Sequence, residues 1–293
     1  MIRLWLAALL LHLGAGTAVA GGEVQTPLHA PSAVLGSDIA YSLYLPENAG
    51  PALPALYLLH GLGGNERDWL RIGKIRQTAD RLIAEKAMPP MAIVMPDAGN
   101  SWYVDSSAHG PIASALMDDF MPYVERHHGL RSDRGGRFIA GLSMGGYGAL
   151  RLAVLHPARF RAAASLSGAI FPDLANAGEV TKGQIRMFKG AFGDPFTPGQ
   201  YNGLNFFSKL RAFKSAKPRP DLFISVGDDD GFRLYEGAVD LYLRLKRLRL
   251  PVEMRIVDGD HNWRLWRDDI VPVLRYFGSL LRADAENSTG ARD

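Results

Sequence analysis

The run Arg137-Phe138-Ile139-Ala140-Gly141-Leu142-Ser143-Met144-Gly145-Gly146 followed by Tyr147 to Leu155 decides how this chain folds. Residues 137–140 are a strand-like run, residues 147–155 are helix formers, and a G-x-S-x-G turn joins them. In such an elbow the serine backbone is forced into a strained conformation at the tip of the turn. Glycines on either side lack the Cβ that would collide as strand and helix close up. The Ser143 hydroxyl is thereby lifted above the sheet edge, at a helix start whose N–H groups face any developing negative charge. In a chain with 32 glycines the same letters also describe a plain Gly-rich turn, so the surroundings must decide.

Apolar runs at 55–59, 91–95, 162–168 and 222–226 read as strands buried on both faces, and 252–257 as the last strand. Helical stretches are predicted at roughly 67–86, 112–127, 235–247 and 262–281. Strands alternating with helices predict an α/β fold: a mostly parallel central sheet, helices on both faces, functional loops at the strand C-termini. Two β-like runs between Val24 and Leu45 read as an antiparallel lead-in to that sheet. Residues 169–218 break the rhythm with glycines, prolines, aromatics and two short helices, near 182–190 and 205–212. So long a stretch predicts an insertion over the active site.

Composition is that of a globular protein, 47% hydrophobic and 22% charged. A formal charge of +3 with acids and bases interspersed is too balanced to argue for nucleic acid or an anionic membrane surface, and neither is expected as a partner. Residues 1–20 read as a secretory signal: Arg3, an apolar run from Leu4 to Leu13, then Ala18-Val19-Ala20 before Gly21. With no cysteine there is no disulfide and no thiolate metal site. The expectation is a periplasmic or extracellular protein, with no stable membrane insertion after signal removal. One domain spans 21–282, and 283–293 is a disordered polar tail.

A serine nucleophile needs a base, and in this fold the order is nucleophile, acid, histidine. Of the 8 histidines only His156 and His261 follow Ser143. His156 ends the elbow helix, far from its start, whereas His261 sits on the loop after the last strand. The acid belongs after the preceding strand, where Asp228-Asp229-Asp230 stands; Asp230 is favoured, with Asp229 the alternative. Its role is to accept the second N–H of the imidazole. His60-Gly61-Leu62-Gly63-Gly64, after a buried strand, has the placement of an oxyanion loop, with the backbone N–H groups of Leu62 and Met144 as donors and His60 structural. Trp102 and Tyr103 are placed as pocket walls, Tyr201, Phe206 and Phe207 as further candidates, and Trp263 and Trp266 as packing. With no G-K-[ST] loop and no H-E-x-x-H, neither metal nor organic cofactor is implied.

The set H-G-L-G-G-N, P-D-A-G-N-S-W-Y, G-L-S-M-G-G-Y-G-A, G-D-D-D-G-F and G-D-H-N-W resembles the esterase D family of α/β-hydrolases, over most of residues 40–275. That family includes S-formylglutathione hydrolases, feruloyl and acetylxylan esterases, tributyrin esterases and mycolyltransferases. The resemblance implies Ser143 as nucleophile, His261 as base, Asp230 as acid, and Leu62 and Met144 as oxyanion donors. It implies a carboxylesterase forming an acyl-enzyme from short-chain acyl or aryl esters of small-molecule or carbohydrate alcohols. The alternatives are an acyltransferase acting on a sugar or lipid alcohol and a silent binding protein on the same scaffold. An exported location argues against cytosolic formaldehyde detoxification.

Overall fold

The apolar runs become the middle of one sheet. The computed structural model describes residues 21–47 and 50–290, without the side chains of 289 and 290; residues 1–20, expected from sequence to be a signal, lie outside them. Eight strands pair side by side. They are β1 (Glu23–Ala30), β2 (Ile39–Leu45), β3 (Ala55–Leu59), β4 (Ala92–Pro96), β5 (Arg137–Leu142), β6 (Ala162–Leu166), β7 (Asp221–Gly227) and β8 (Glu253–Val257). Their order is β1-β2-β4-β3-β5-β6-β7-β8. From β4 to β8 neighbours run parallel, while β1, β2 and β4 pair antiparallel. Every residue of β3 to β6 is buried, which is why those runs are continuously apolar rather than alternating. The β8 edge alternates Glu253, Arg255 and exposed Ile256; its charges blunt an open strand.

Side chains of each strand divide by parity between two cores. Leu56, Leu58, Phe138 and Ala140 pack under α1 (Ile75–Ala84) and the closing helix α5 (Trp263–Gly290). Tyr57, Ile139 and Ala163 pack under the 112–127 helix α2, the elbow helix α3 (Met144–Leu155) and α4 (Leu234–Arg247). Helix α2 runs through a π-helical turn at Leu116–Phe120. Its far end carries Glu125, only 2% exposed, whose carboxylate takes a bidentate pair from Arg137 at 2.5 and 2.7 Å and the Tyr57 hydroxyl at 3.0 Å. The carboxylate hydrogen bonds hold the Arg137 guanidinium above its ordinary range. Removing one partner leaves the other charge buried and unpaired. Glu125→Ala is therefore expected to lower stability by about 3–5 kcal/mol in urea unfolding, and a loss below about 1 kcal/mol would show that solvent reaches the pair.

Three expectations need correction. The helix predicted over 67–86 is two pieces, Asp68–Arg71 and Ile75–Ala84. Gly73 lies against the rings of Trp69 and Trp263, where a Cβ would come within 2.7 and 2.9 Å, and Lys74 adopts φ 54°. Of the predicted disordered tail 283–293, residues 283–290 continue α5 to Gly290, where Arg161 donates to Asp284 at 2.7 and 3.1 Å, and 291–293 lie outside the described residues. The insertion holds three short helices, Lys182–Met187, Pro198–Leu204 and Leu210–Ser215, rather than two. The middle one contains Gly199 and Gly203, which hid it; Thr197 caps it, and Tyr201 seats it among Phe188, Phe192 and Phe196. Among the described residues no helix is long and apolar enough to cross a membrane.

Candidate active site

Ser143 stands between β5 and α3 with φ 52° and ψ −119°, a backbone conformation that costs an L-residue energy. The cost follows from closeness. A Cβ on Gly145 would come within 2.5 Å of the His60 carbonyl oxygen, and one on Gly141 within 2.4 Å of the Gly145 carbonyl oxygen. Helix α3 thus starts against the end of β3, with the serine pushed out over the C-terminal edge of the sheet. Met144 is the first helical residue, so its N–H has no intrahelical acceptor.

Two loops from the far side of the sheet reach that hydroxyl. His261, after β8, places Nε2 3.0 Å from Ser143 Oγ and Nδ1 2.8 Å from Asp230 Oδ2. In the neutral imidazole Nδ1–H donates to the carboxylate and Nε2 accepts from the serine hydroxyl, the tautomer a base needs. Asp230 is 2% exposed, and its Oδ1 accepts the Phe232 N–H at 2.9 Å. Asp228 and Asp229 are exposed and tie the loop to Gly259 instead: Asp228 Oδ1 accepts its N–H at 3.1 Å, and the Asp229 N–H reaches its carbonyl at 3.1 Å. Of the three aspartates, therefore, only Asp230 faces the imidazole. Asp260 turns its carboxylate to the N–H groups of His261 at 2.6 Å and Gly231 at 3.0 Å; these bonds hold its carboxyl below the usual range and brace the two loops together. His156 caps the far end of the twelve-residue α3, about 20 Å from Ser143 along the helix axis at about 1.5 Å per residue.

The loop after β3 carries His60, 1% exposed, whose Nδ1 donates to the Gly61 carbonyl at 2.8 Å while Nε2 accepts the Ala98 N–H at 3.0 Å. Gly63 (φ 74°) donates to Asn100 Oδ1 at 2.8 Å, so the loop is pinned to the turn after β4. Leu62 and Met144 both line the cavity that contains Ser143.

That cavity holds about 670 Å³, within the usual range for small-ligand sites. Trp102 (φ 55°) lines it and donates its indole N–H to the Met187 carbonyl at 3.1 Å, tying the wall to the insertion. Tyr103 (φ 56°) does not line it. Its ring lies against Gly148, and its hydroxyl donates to the His60 carbonyl at 2.9 Å, so it supports the oxyanion loop from beneath. The expectation of a Tyr103 pocket wall is corrected: of the two consecutive positive-φ residues, Trp102 reaches the cavity and Tyr103 does not. Buried Arg151 on α3 donates to the carbonyls of Tyr103 at 3.0 Å and Leu204 at 2.7 Å, joining that turn and the insertion to the elbow helix. Tyr201, Phe206 and Phe207 lie in the core and do not line the cavity either. Trp263 and Trp266, read from sequence as packing, do line it, as do Phe171, Gln184, Met187, Phe232 and Asp68, which sequence reasoning missed. Only Phe232, two residues beyond Asp230, had a positional signal. Asp228, Asp229 and Asp258 bring carboxylate oxygens within 4.8 Å of one another on the surface, a grouping common without any ion.

A parallel sheet with this strand order and a serine elbow over its C-terminal edge defines the α/β-hydrolase class. The family profile described as "Putative esterase" matches residues 32–277. An acetyl esterase of Caldicellulosiruptor saccharolyticus is 27% identical over 239 residues, 78% of this chain and 84% of that protein. An esterase of Mycobacterium tuberculosis is 33% identical over 275 residues, 83% of this chain; the chain spans 58% of that protein's length. Among solved structures a ferulic acid esterase superposes with a TM-score of 0.73 at 26% identity, covering 89% of this chain and 99% of that one. The chain belongs to this esterase family and is a serine ester hydrolase.

Proposed function

We propose that the protein is an exported carboxylesterase in which Ser143 attacks the carbonyl of short-chain acyl or aryl esters. The observation that carries this reading is the hydrogen-bonded chain Ser143 Oγ, His261 Nε2, His261 Nδ1, Asp230 Oδ2, with its serine end open to a largely apolar cavity. His261 takes the serine proton as the tetrahedral intermediate forms, and Asp230 stabilises the resulting imidazolium. The N–H groups of Leu62 and Met144 receive the oxyanion; one such donor contributes roughly 3–4 kcal/mol to transition-state stabilisation. His261 then returns the proton to the departing alcohol, leaving an acyl-Ser143 ester. Water, activated by the same imidazole, releases the acid. Residues 1–20 act as the export signal in this reading, and no metal or organic cofactor takes part.

An alcohol that reaches the acyl-enzyme before water would make the protein an acyltransferase, because both acceptors use the same intermediate. Turnover of a p-nitrophenyl ester series from acetate to octanoate, repeated with added sugar or lipid alcohol, separates the two. The proposal expects free acid as the main product and rates falling with chain length. Acylated alcohol exceeding free acid would make transfer the activity, and no turnover of any ester would end the proposal.

A further inference from the structure

The cavity beside Ser143 contains one charged group that ester cleavage does not use. Asp68, at the start of the turn Asp68–Arg71, presents a half-buried carboxylate to it. Among the described residues it is the only ionisable lining side chain besides His261, and no lysine or arginine lines the cavity. Its Oδ2 lies where a Cβ on Gly64 would come within 2.4 Å, which sets the charge against the oxyanion loop itself. Its hydrogen bond from the Asn65 N–H is long, 3.3 Å.

Aromatic rings continue from that carboxylate to the imidazole. Trp69, next to Asp68 in the chain, meets Trp263 edge-on at 5.2 Å; Trp263 meets Trp266 at 5.3 Å; Trp266 meets His261 at 4.9 Å. Phe232, 58% exposed, meets His261 at 5.0 Å. The imidazole must hand its proton to the leaving oxygen, so the alcohol portion of the ester lies on this side. Ring faces attract a cation through their quadrupole, quaternary ammonium included. With no ion pair to it among the described residues, a carboxylate in a mostly apolar cavity attracts the same charge and repels an anion.

We propose that Asp68, with Trp263 and Phe232, makes this site select esters whose alcohol portion carries an ammonium group, and disfavour anionic ones. The proposal rests on the serine esterase reading above and adds a charge preference to it.

The test compares three thioacetates of similar size: acetylthiocholine, its neutral analogue S-(3,3-dimethylbutyl) thioacetate, and the anionic S-acetyl-3-mercaptopropionate. All give the same acetyl-enzyme, so differences in kcat/KM report the leaving-group side alone. At low salt the wild-type protein is expected to favour the cation over the neutral ester by about tenfold and to use the anion least, with the preference shrinking as salt rises. In Asp68→Asn, whose amide oxygen keeps an acceptor for Asn65, the ratio is expected to fall to about twofold, with the residual from the rings. Taking the ratio within each protein cancels any loss common to both esters. A cation preference that stays near its wild-type value in Asp68→Asn, or equal use of all three by the wild type, would overturn the charge selection and leave the esterase standing. No turnover of any of the three esters by the wild type would overturn both.

Discussion

Ser143→Ala is expected to reduce ester hydrolysis on the order of a millionfold, to a residual rate set by the oxyanion donors and substrate binding. The size follows from the roles of the group: without Oγ there is no nucleophile, and His261 Nε2 loses the proton it accepts across 3.0 Å. Alanine has no difficulty with the site that serine does not already have. The positive φ is imposed by the fit of α3 against the end of β3, where Gly145 meets the carbonyls of Leu59 and His60, and both residues carry a Cβ. The midpoint of thermal unfolding should therefore move by no more than a few degrees while p-nitrophenyl acetate turnover disappears. A large drop in both would mean that the serine is structural.

Asp230→Asn is expected to lower kcat by about 10⁴-fold with little change in KM. An asparagine amide turned toward Nδ1 donates where the carboxylate accepted, which leaves the imidazole proton on Nε2, facing the serine. In that tautomer the ring cannot take the hydroxyl proton, and an imidazolium would lose its counter-charge. Asp229→Asn is the internal control, because its side chain is exposed and its carboxylate groups with those of Asp228 and Asp258, while Asp230 holds the imidazole. Its activity should stay within about twofold of wild type, as for surface substitutions away from the chemistry. A collapse in Asp229→Asn with Asp230→Asn near normal would move the acid by one position. Loss in both would indicate that the loop between β7 and α4, not one carboxylate, is what matters.

How far the chain could be read without coordinates depended on the range of the signal. The elbow is local: five residues with two glycines at fixed offsets, between a strand and a helix, place Ser143 without knowledge of anything distant. His261 followed by elimination once the strands were counted, because loops after parallel strands share one edge of the sheet. The choice among three adjacent aspartates is a matter of side-chain direction, which the Asp230 bond to His261 and the grouping of the Asp228 and Asp229 carboxylates with Asp258 decide. Trp102 and Tyr103 could not be told apart, because alternation through two positive-φ residues has no sequence signature. The walls contributed by Gln184 and Met187 come from an insertion whose helices have local caps but are placed over the site by aromatic packing and by Arg151, which is tertiary. The break at Gly73 and Lys74 and the long run of α5 have the same origin: a tryptophan ring pressed on backbone in one case, an arginine 123 residues away in the other.

The covalent step is the centre of this account, and a fluorophosphonate probe reads it most directly. Intact-mass and peptide mapping of the wild-type protein should show one equivalent of probe, carried on Ser143, with no labelling in Ser143→Ala and strongly slowed labelling in His261→Ala. Unlabelled protein, or an adduct on a different residue that persists in Ser143→Ala, would contradict it.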